Sequence, residues 1–269
     1  AGLTNMGLDA LFIAGLQMDV TGAALATGLS QTVGGLLPLF FFRKKDNGSK
    51  LRIVKTPMEL RPIIQACSNG ASELMTNISS SIVSMLYNHQ LISLAGQNGI
   101  SAYGVLMYVQ FIFIAIYIGY AVGSAPIVSF HYGARNHAEV HNLYQKSLRL
   151  IAVVAVSMTA VSMVLIPFVA RIFVGYDAQL LALTSRAFRL YALSFLIMGF
   201  NVYASSFFTA LGDGVTSALI SFLRTLLFQL AALLLLPALW GIDGVWLAVT
   251  AAELAALAVT VAMFLTKDK

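Results

Sequence analysis

Glu73 stands in a run from Ile63 to Leu94 that contains no Lys or Arg. A carboxylate near the middle of a bilayer costs about 2.5–3.5 kcal/mol on insertion scales, so such groups face a bundle interior or a wet cavity. There a carboxylate can bind a proton, a metal ion such as Na+, or a cationic substrate. On a helix, Gln65, Asn69, Glu73, Thr76, Ser80, Ser84 and Asn88 recur every three or four residues and form one polar stripe. Ser72, Asn77, Ser79 and Ser81 broaden it. Counted from Pro62, Glu73 lies about 16 Å along that helix, near mid-depth. Asn69, Thr76 and Asn77 are the neighbours best placed to share a ligand with it. The stripe's hydroxyls and amides also have a purely structural use, hydrogen bonding to adjacent helices.

Other polar groups sit in apolar runs. Tyr103, Met107, Gln110, Ile114, Tyr117, Ala121 and Ser124 fall at helical spacing, a mixture that suits either an adaptable amphipathic cavity or a plain packing face. Ser194, Met198, Asn201, Ser205 and Phe208 share another face. Asn201 could coordinate an ion or a substrate amide, or make a structural hydrogen bond. Glu253, about 14 Å along its helix from Gly244, is a second acidic candidate; pairing with a cation such as Arg224 is the alternative. His137 and His141 are four residues apart, which allows a shared helical face, either solvated or metal-binding. Gly119, Gly123 and Pro126 could bend their helix, and the GxxxG spacing could equally permit close helix packing. No HExxH, GxSxG, GxxxxGK or CxxC pattern occurs. That speaks against a zinc protease, a serine hydrolase or an ATPase, and no cofactor is expected beyond a coupling ion.

The elements that must position these groups follow from composition. The chain is 59% hydrophobic and 10% charged, with a mean hydropathy of +0.84. Runs of this kind are membrane-spanning helices, each needing about 20 residues. Eight apolar segments are expected, at about 1–16, 19–42, 60–94, 98–131, 140–174, 179–211, 215–239 and 244–266. The fold class is all-α, a polytopic helical bundle whose first partner is the lipid bilayer. The net charge of +5 is not a nucleic-acid signal, because the cations lie beside helices. Arg43, Lys44, Lys45, Lys50, Arg52, Lys55 and Arg61 cluster after the second segment, Arg135, Lys146 and Arg149 after the fourth, and Lys267 and Lys269 at the end. The positive-inside rule makes these regions, and the C-terminus, cytoplasmic. Arg224 is expected to snorkel to the same side. Cys67 is the sole cysteine, so no intrachain disulfide forms.

An offset of 222 residues overlays Gly22, Leu25 and Ala26 on Gly244, Leu247 and Ala248, and Gln31 on Glu253. Both stretches end in basic residues. Parallel repeats of this type build many secondary transporters. Residues 1–43 would then be the last hairpin of an N-lobe, 44–56 a cytoplasmic linker, and 57–269 a six-helix C-lobe. The first segment would span only about 24 Å and begins in apolar sequence, so the chain is expected to lack its natural start. About four helices, on the order of 180 residues, would complete the N-lobe. Thr56-Pro57-Met58-Glu59 reads as a capping box that opens the C-lobe.

These motifs resemble the multidrug and toxic compound extrusion (MATE) family. Asn5, Leu8-Asp9 and Leu11-Phe12-Ile13 are similar to the end of that family's fifth helix. Gly22 to Thr27, with Ser30-Gln31, resembles the start of its sixth. Ala125-Pro126-Ile127-Val128-Ser129-Phe130-His131-Tyr132-Gly133-Ala134 looks like the stretch after its eighth, and Phe207-Phe208, Leu211-Gly212 and Ala252-Glu253 also fit. The resemblance covers helices five to twelve. It implies a plasma- or inner-membrane antiporter that exports organic cations in exchange for Na+ or H+, by alternating access between two lobes. It also implies a cation-binding carboxylate in the seventh helix, where Glu73 stands. The second acid of the cation-coupled branch, in helix ten, has no counterpart; Asn201 is there instead. A lipid-linked oligosaccharide flippase of the same superfamily is the alternative, with the scarcity of cations in the helices against it.

Overall fold

The computed structural model describes residues 2–44, 53 and 59–267. Helices fill these residues, and no strand occurs among them. Among the described residues, five stretches are long and apolar enough to cross a membrane, or six if a bent pair counts as one span. The longest of them reverses at a glycine and contributes a hairpin. The chain is an all-α polytopic membrane bundle. It divides into two compact units, Ala1–Glu59 and Leu60–Lys269.

In the first unit, α1 (Gly2–Asp9) runs into a π-helical turn, Ala10–Gly15. The chain then turns through Gln17 and Asp19, both at positive φ, into α2 (Asp19–Arg43). Gly22 lets the hairpin close: a Cβ there would lie 2.9 Å from the Met18 Cβ and 3.1 Å from the Phe12 Cβ. The expected linker and its capping box fall largely outside the described residues.

The second unit begins with α3 (Leu60–Asn69). The sequence suggests one helix over 60–94, but the chain is interrupted at Gly70, three residues before Glu73. Gly214 lies against this break; a Cβ there would come 2.8 Å from the Asn69 backbone nitrogen. Helix α4 (71–95) ends at Gly96, whose φ of 59° is open to glycine and few other residues. Helix α5 (97–133) returns antiparallel, so that Tyr87 and Tyr103 stack with ring centroids 4.8 Å apart. The backbone of α5 keeps helical dihedral angles through Pro126. Among the described residues, no helix packs closely on Gly119 or Gly123. A Cβ at either would meet nothing within 4 Å, and both glycines are exposed.

Helix α6 (His137–Val174) is capped by Asn136, which accepts a hydrogen bond from the Glu139 amide. Asp177 caps α7 (Ala178–Ala192) through the amides of Gln179 and Leu180. A break at Leu193–Ser194 sets α8 (Phe195–Ala210) at 47° to α7. The Tyr117 hydroxyl donates to the Phe195 carbonyl at 2.8 Å, and its ring fills the space where a Gly199 side chain would stand. These two contacts tie α5 to the bend. Helix α9 (Gly214–Trp240) starts at the Asp213 cap and contains a π-helical turn at Leu223–Leu227. Gly241, at φ 56°, turns the chain into α10 (Ile242–Lys267). Arg186 of α7 and Asp243 of α10 pair near the exposed end of this turn.

The repeat read from sequence has a structural echo. Asp19 and Gly241, 222 residues apart, both turn the chain at positive φ. Gly22 and Gly244 both lack room for a side chain; a Cβ at Gly244 would come 2.7 Å from the Pro237 nitrogen. One turn later Ala26 and Ala248 are each 0% exposed, and Ser30 and Ala252 are also buried.

Candidate functional site

The polar stripe of α4 bonds mainly to its own helix. Thr76 Oγ1 donates to the Ser72 carbonyl at 2.9 Å and Ser80 Oγ to the Thr76 carbonyl at 2.8 Å. Asn77 Nδ2 donates to the Glu73 carbonyl at 2.9 Å. Back-bonding of this kind satisfies hydroxyls without a neighbouring helix. It leaves the Glu73 carboxylate on an exposed surface.

Two cavities open along this face. The first, about 520 Å³, is bordered by Asn69, Ser72, Glu73 and Thr76 on one side. Its other walls include Ile118, Ala121 and Val122 of α5, Ser205 and Thr209 of α8, and Ser221 and Arg224 of α9. Asn69 Oδ1 is buried and has no hydrogen-bond partner among the described residues. The wall of hydroxyls is tied together: Ser205 Oγ lies 2.9 Å from both Ser217 Oγ and Ser221 Oγ, and Thr209 Oγ1 lies 2.7 Å from Ser217 Oγ. The second cavity, about 270 Å³, is bordered by Tyr87, Tyr103, Gln110, Tyr191, Gln229 and Glu253. Here the Tyr191 hydroxyl donates to Gln110 Oε1 at 2.5 Å. Thr76, Ile114 and Arg224 border both cavities and form the partition between them.

The partition is anchored by a buried polar knot. Arg224 is 7% exposed and Glu253 5% exposed, with Arg224 Nη1 3.2 Å from Glu253 Oε1. Asn201, fully buried, donates through Nδ2 to Glu253 Oε2 at 2.7 Å and to the Glu253 carbonyl at 2.9 Å. Thr260 Oγ1 donates to Asn201 Oδ1 at 3.3 Å. Arg224 therefore does not snorkel to a membrane surface. Asn201 of α8 is thus bonded directly to the Glu253 carboxylate of α10.

The residues singled out from sequence are thus separated. Asn69, Glu73 and Thr76 share the larger cavity; Thr76, Tyr103 and Gln110 share the smaller. Asn77 is exposed beside Glu73. Tyr117 and Asn201 line neither cavity and make the structural bonds described above. Glu253 reaches the smaller cavity as part of an ion pair. Tyr191, Ser221 and Gln229 were missed. Ser217, Ser221 and Arg224 recur every three or four residues on α9, a signal of the same kind as the α4 stripe. His137 and His141 border a separate cavity of about 490 Å³ with Tyr144, Phe207 and Asp213. No group of three or more His, Cys, Asp or Glu able to hold a metal occurs among the described residues.

Apolar spans enclosing polar cavities define a polytopic helical membrane protein. A family model described as MatE matches residues 74–233. The chain belongs to the MatE family, whose members are transporters, not enzymes. It is 23% identical over 272 residues to the multidrug export protein MepA of Staphylococcus saprophyticus subsp. saprophyticus, covering 98% of this chain and 58% of the relative. The MepA of Staphylococcus haemolyticus is 24% identical over 243 residues, covering 90% of this chain and 52% of the relative. Among solved structures, a MATE in complex with MaL6 superposes with a TM-score of 0.87 at 23% identity, over 96% of this chain and 58% of the other. An outward-facing multidrug resistance MATE transporter of the MOP superfamily gives 0.86 at 24% identity, with the same coverage. A MOP superfamily transporter from Pyrococcus furiosus, described by a reversed polarity of its binding pocket, gives 0.85 at 23% identity over 96% and 58%. The chain thus spans a little over half the length of the relatives it matches.

Proposed function

We propose that this chain is part of a secondary active antiporter of the cell membrane. It exports organic cations in exchange for Na+ or H+ by alternating access between two lobes. Residues 1–43 supply the last hairpin of the N-lobe, 44–56 the linker and 57–269 the C-lobe, with the C-terminus cytoplasmic. The observation that carries the proposal is Glu73, which borders a cavity of about 520 Å³ without a cationic partner of its own among the described residues. Arg224 is the one Lys or Arg on either cavity wall among the described residues, and Glu253 neutralises it. A cavity with this balance attracts a cation. The unpartnered Asn69 Oδ1 beside Glu73 adds an oxygen donor of the kind a hard cation takes. The export role of the MepA relatives supports the same direction of transport. A lipid diphosphate would need unpaired cations in the cavity, and the walls provide none among the described residues.

The test is efflux by the full-length protein carrying Glu73→Gln. Loss of resistance to cationic drugs, with retained expression, is the expected outcome. Unchanged resistance with unchanged ion dependence removes Glu73 from the mechanism.

A further inference from the structure

We propose that Arg224 is a movable counter-charge, shared in turn by Glu253 and Glu73. Arg224 pairs with Glu253 while an organic cation occupies Glu73. When Glu253 takes up a proton, the guanidinium turns to Glu73 and displaces the cation. The idea rests on the assignment of cargo binding to Glu73.

Three features of the geometry carry it. First, Arg224 stands in the partition, so the same side chain reaches Glu253 on the smaller cavity and borders the larger cavity that holds Glu73. Second, its hold on Glu253 is slight. A strong arginine–carboxylate pair is bidentate, with contacts of about 2.7–2.9 Å. Here one contact of 3.2 Å joins them, and Arg224 Nε is buried without a partner. Third, Glu253 is equipped to remain without the arginine. Its Oε2 keeps the Asn201 amide at 2.7 Å, a donor that a neutral carboxyl still accepts. A buried guanidinium left without its carboxylate is strongly destabilising, and Glu73 is the other carboxylate on the two cavities that Arg224 borders among the described residues.

The charges balance. Before the exchange the site holds a carboxylate at Glu253, a guanidinium at Arg224, a carboxylate at Glu73 and a monovalent cation. Afterwards it holds a neutral Glu253 acid and an Arg224–Glu73 pair, and the cation has left. One proton enters for one charge released, so the site is neutral at both ends of the cycle. The titratable or charged groups facing Glu253 are Arg224 from α9, Tyr191 from α7, Tyr87 from α4 and Tyr103 from α5, with Glu73 beyond the partition. Asn201 is the polar group from α8. No Lys, His or Asp lines either cavity among the described residues.

The experiment uses the full-length transporter in detergent, with tetraphenylphosphonium as the probe. Calorimetry gives its affinity across a pH series, and an indicator dye in weak buffer counts protons taken up on release. For the natural protein, affinity falls by up to about tenfold for each pH unit lowered through the transition, as one linked proton requires. Glu253→Gln, which mimics the protonated acid, binds the probe at least about tenfold more weakly and without pH dependence. Adding Arg224→Gln to it restores affinity but not pH dependence. Natural affinity and proton uptake in Glu253→Gln would overturn the switch. If that single variant does not fold, the double variant decides the matter, and retained pH dependence and proton uptake there overturn the switch equally. Glu73→Gln separates the two assignments. Unchanged affinity in it overturns the cargo site and the switch together. Weakened binding in it, beside an unaffected Glu253→Gln, overturns the switch alone.

Discussion

Glu253→Ala would leave the Arg224 guanidinium, 7% exposed, without its carboxylate and Asn201 Nδ2 without its side-chain acceptor. Breaking a buried pair from one side costs about 3–5 kcal/mol, whereas replacing both charges by neutral groups of similar size is often neutral or stabilising. Thermal unfolding of the full-length protein in detergent should therefore rank Glu253→Ala well below the natural protein. The Arg224→Gln/Glu253→Gln double variant should lie close to it. Equal midpoints for Glu253→Ala and the natural protein would mean the pair contributes nothing to stability. Glu73 differs from Glu253 on this scale. It caps no helix and pairs with no cation among the described residues, so Glu73→Gln should leave the midpoint unchanged while altering transport.

The helices meet through glycines where backbones must touch, and the structure separates these from glycines that only look similar in sequence. A Cβ at Gly244 runs into the Leu236 carbonyl, whereas one at Gly119 or Gly123 meets nothing within 4 Å. Gly244→Ala should lower the unfolding midpoint, because backbone cannot retreat as a flexible side chain can. Gly119→Ala and Gly123→Ala should each stay within about 0.5 kcal/mol of the natural protein, as surface substitutions do. A shift for Gly119→Ala as large as that for Gly244→Ala would show that its open face is in fact a packed one. The spans themselves were legible in the sequence, because bilayer thickness fixes the length of an apolar run and a positive-φ glycine such as Gly96 marks its end. The partners of each polar residue were less so. Periodicity places Glu73, Thr76 and Ser80 on one stripe, but it does not set how α4 is rotated against α5 and α9. That rotation sends Thr76 to both cavities and Glu73 to one. The π-helical turn at Leu223–Leu227 shifts Arg224 relative to the rest of α9, and no pattern in the sequence announces it.

On the scale of the molecule, the recurrence of Asp19, Gly22 and Ala26 as Gly241, Gly244 and Ala248 is what the proposed two-lobe plan expects. The chain spans 58% of the length of the MepA relative, less than the two full lobes that this plan needs. The 269-residue chain purified alone should therefore give no ion-dependent substrate flux in proteoliposomes, since alternating access needs two lobes to rock against each other. Flux should appear when helices completing a second lobe are supplied. Robust flux from the chain alone would refute the two-lobe requirement.

The Arg224–Glu253 pair also bears on how the protein is made. α9 and α10 each carry a charge that is costly to place in lipid, about 2.5–3.5 kcal/mol on insertion scales. The turn at Gly241 joins them into one hairpin whose opposite charges meet. Delivered together, the two helices enter the bilayer as an electrically neutral unit; delivered singly, each carries its charge in alone. Truncation after Trp240 should thus reduce membrane integration of α9, measured with glycosylation tags during translation, and Arg224→Gln should restore it. Biogenesis and transport would then depend on the same two side chains.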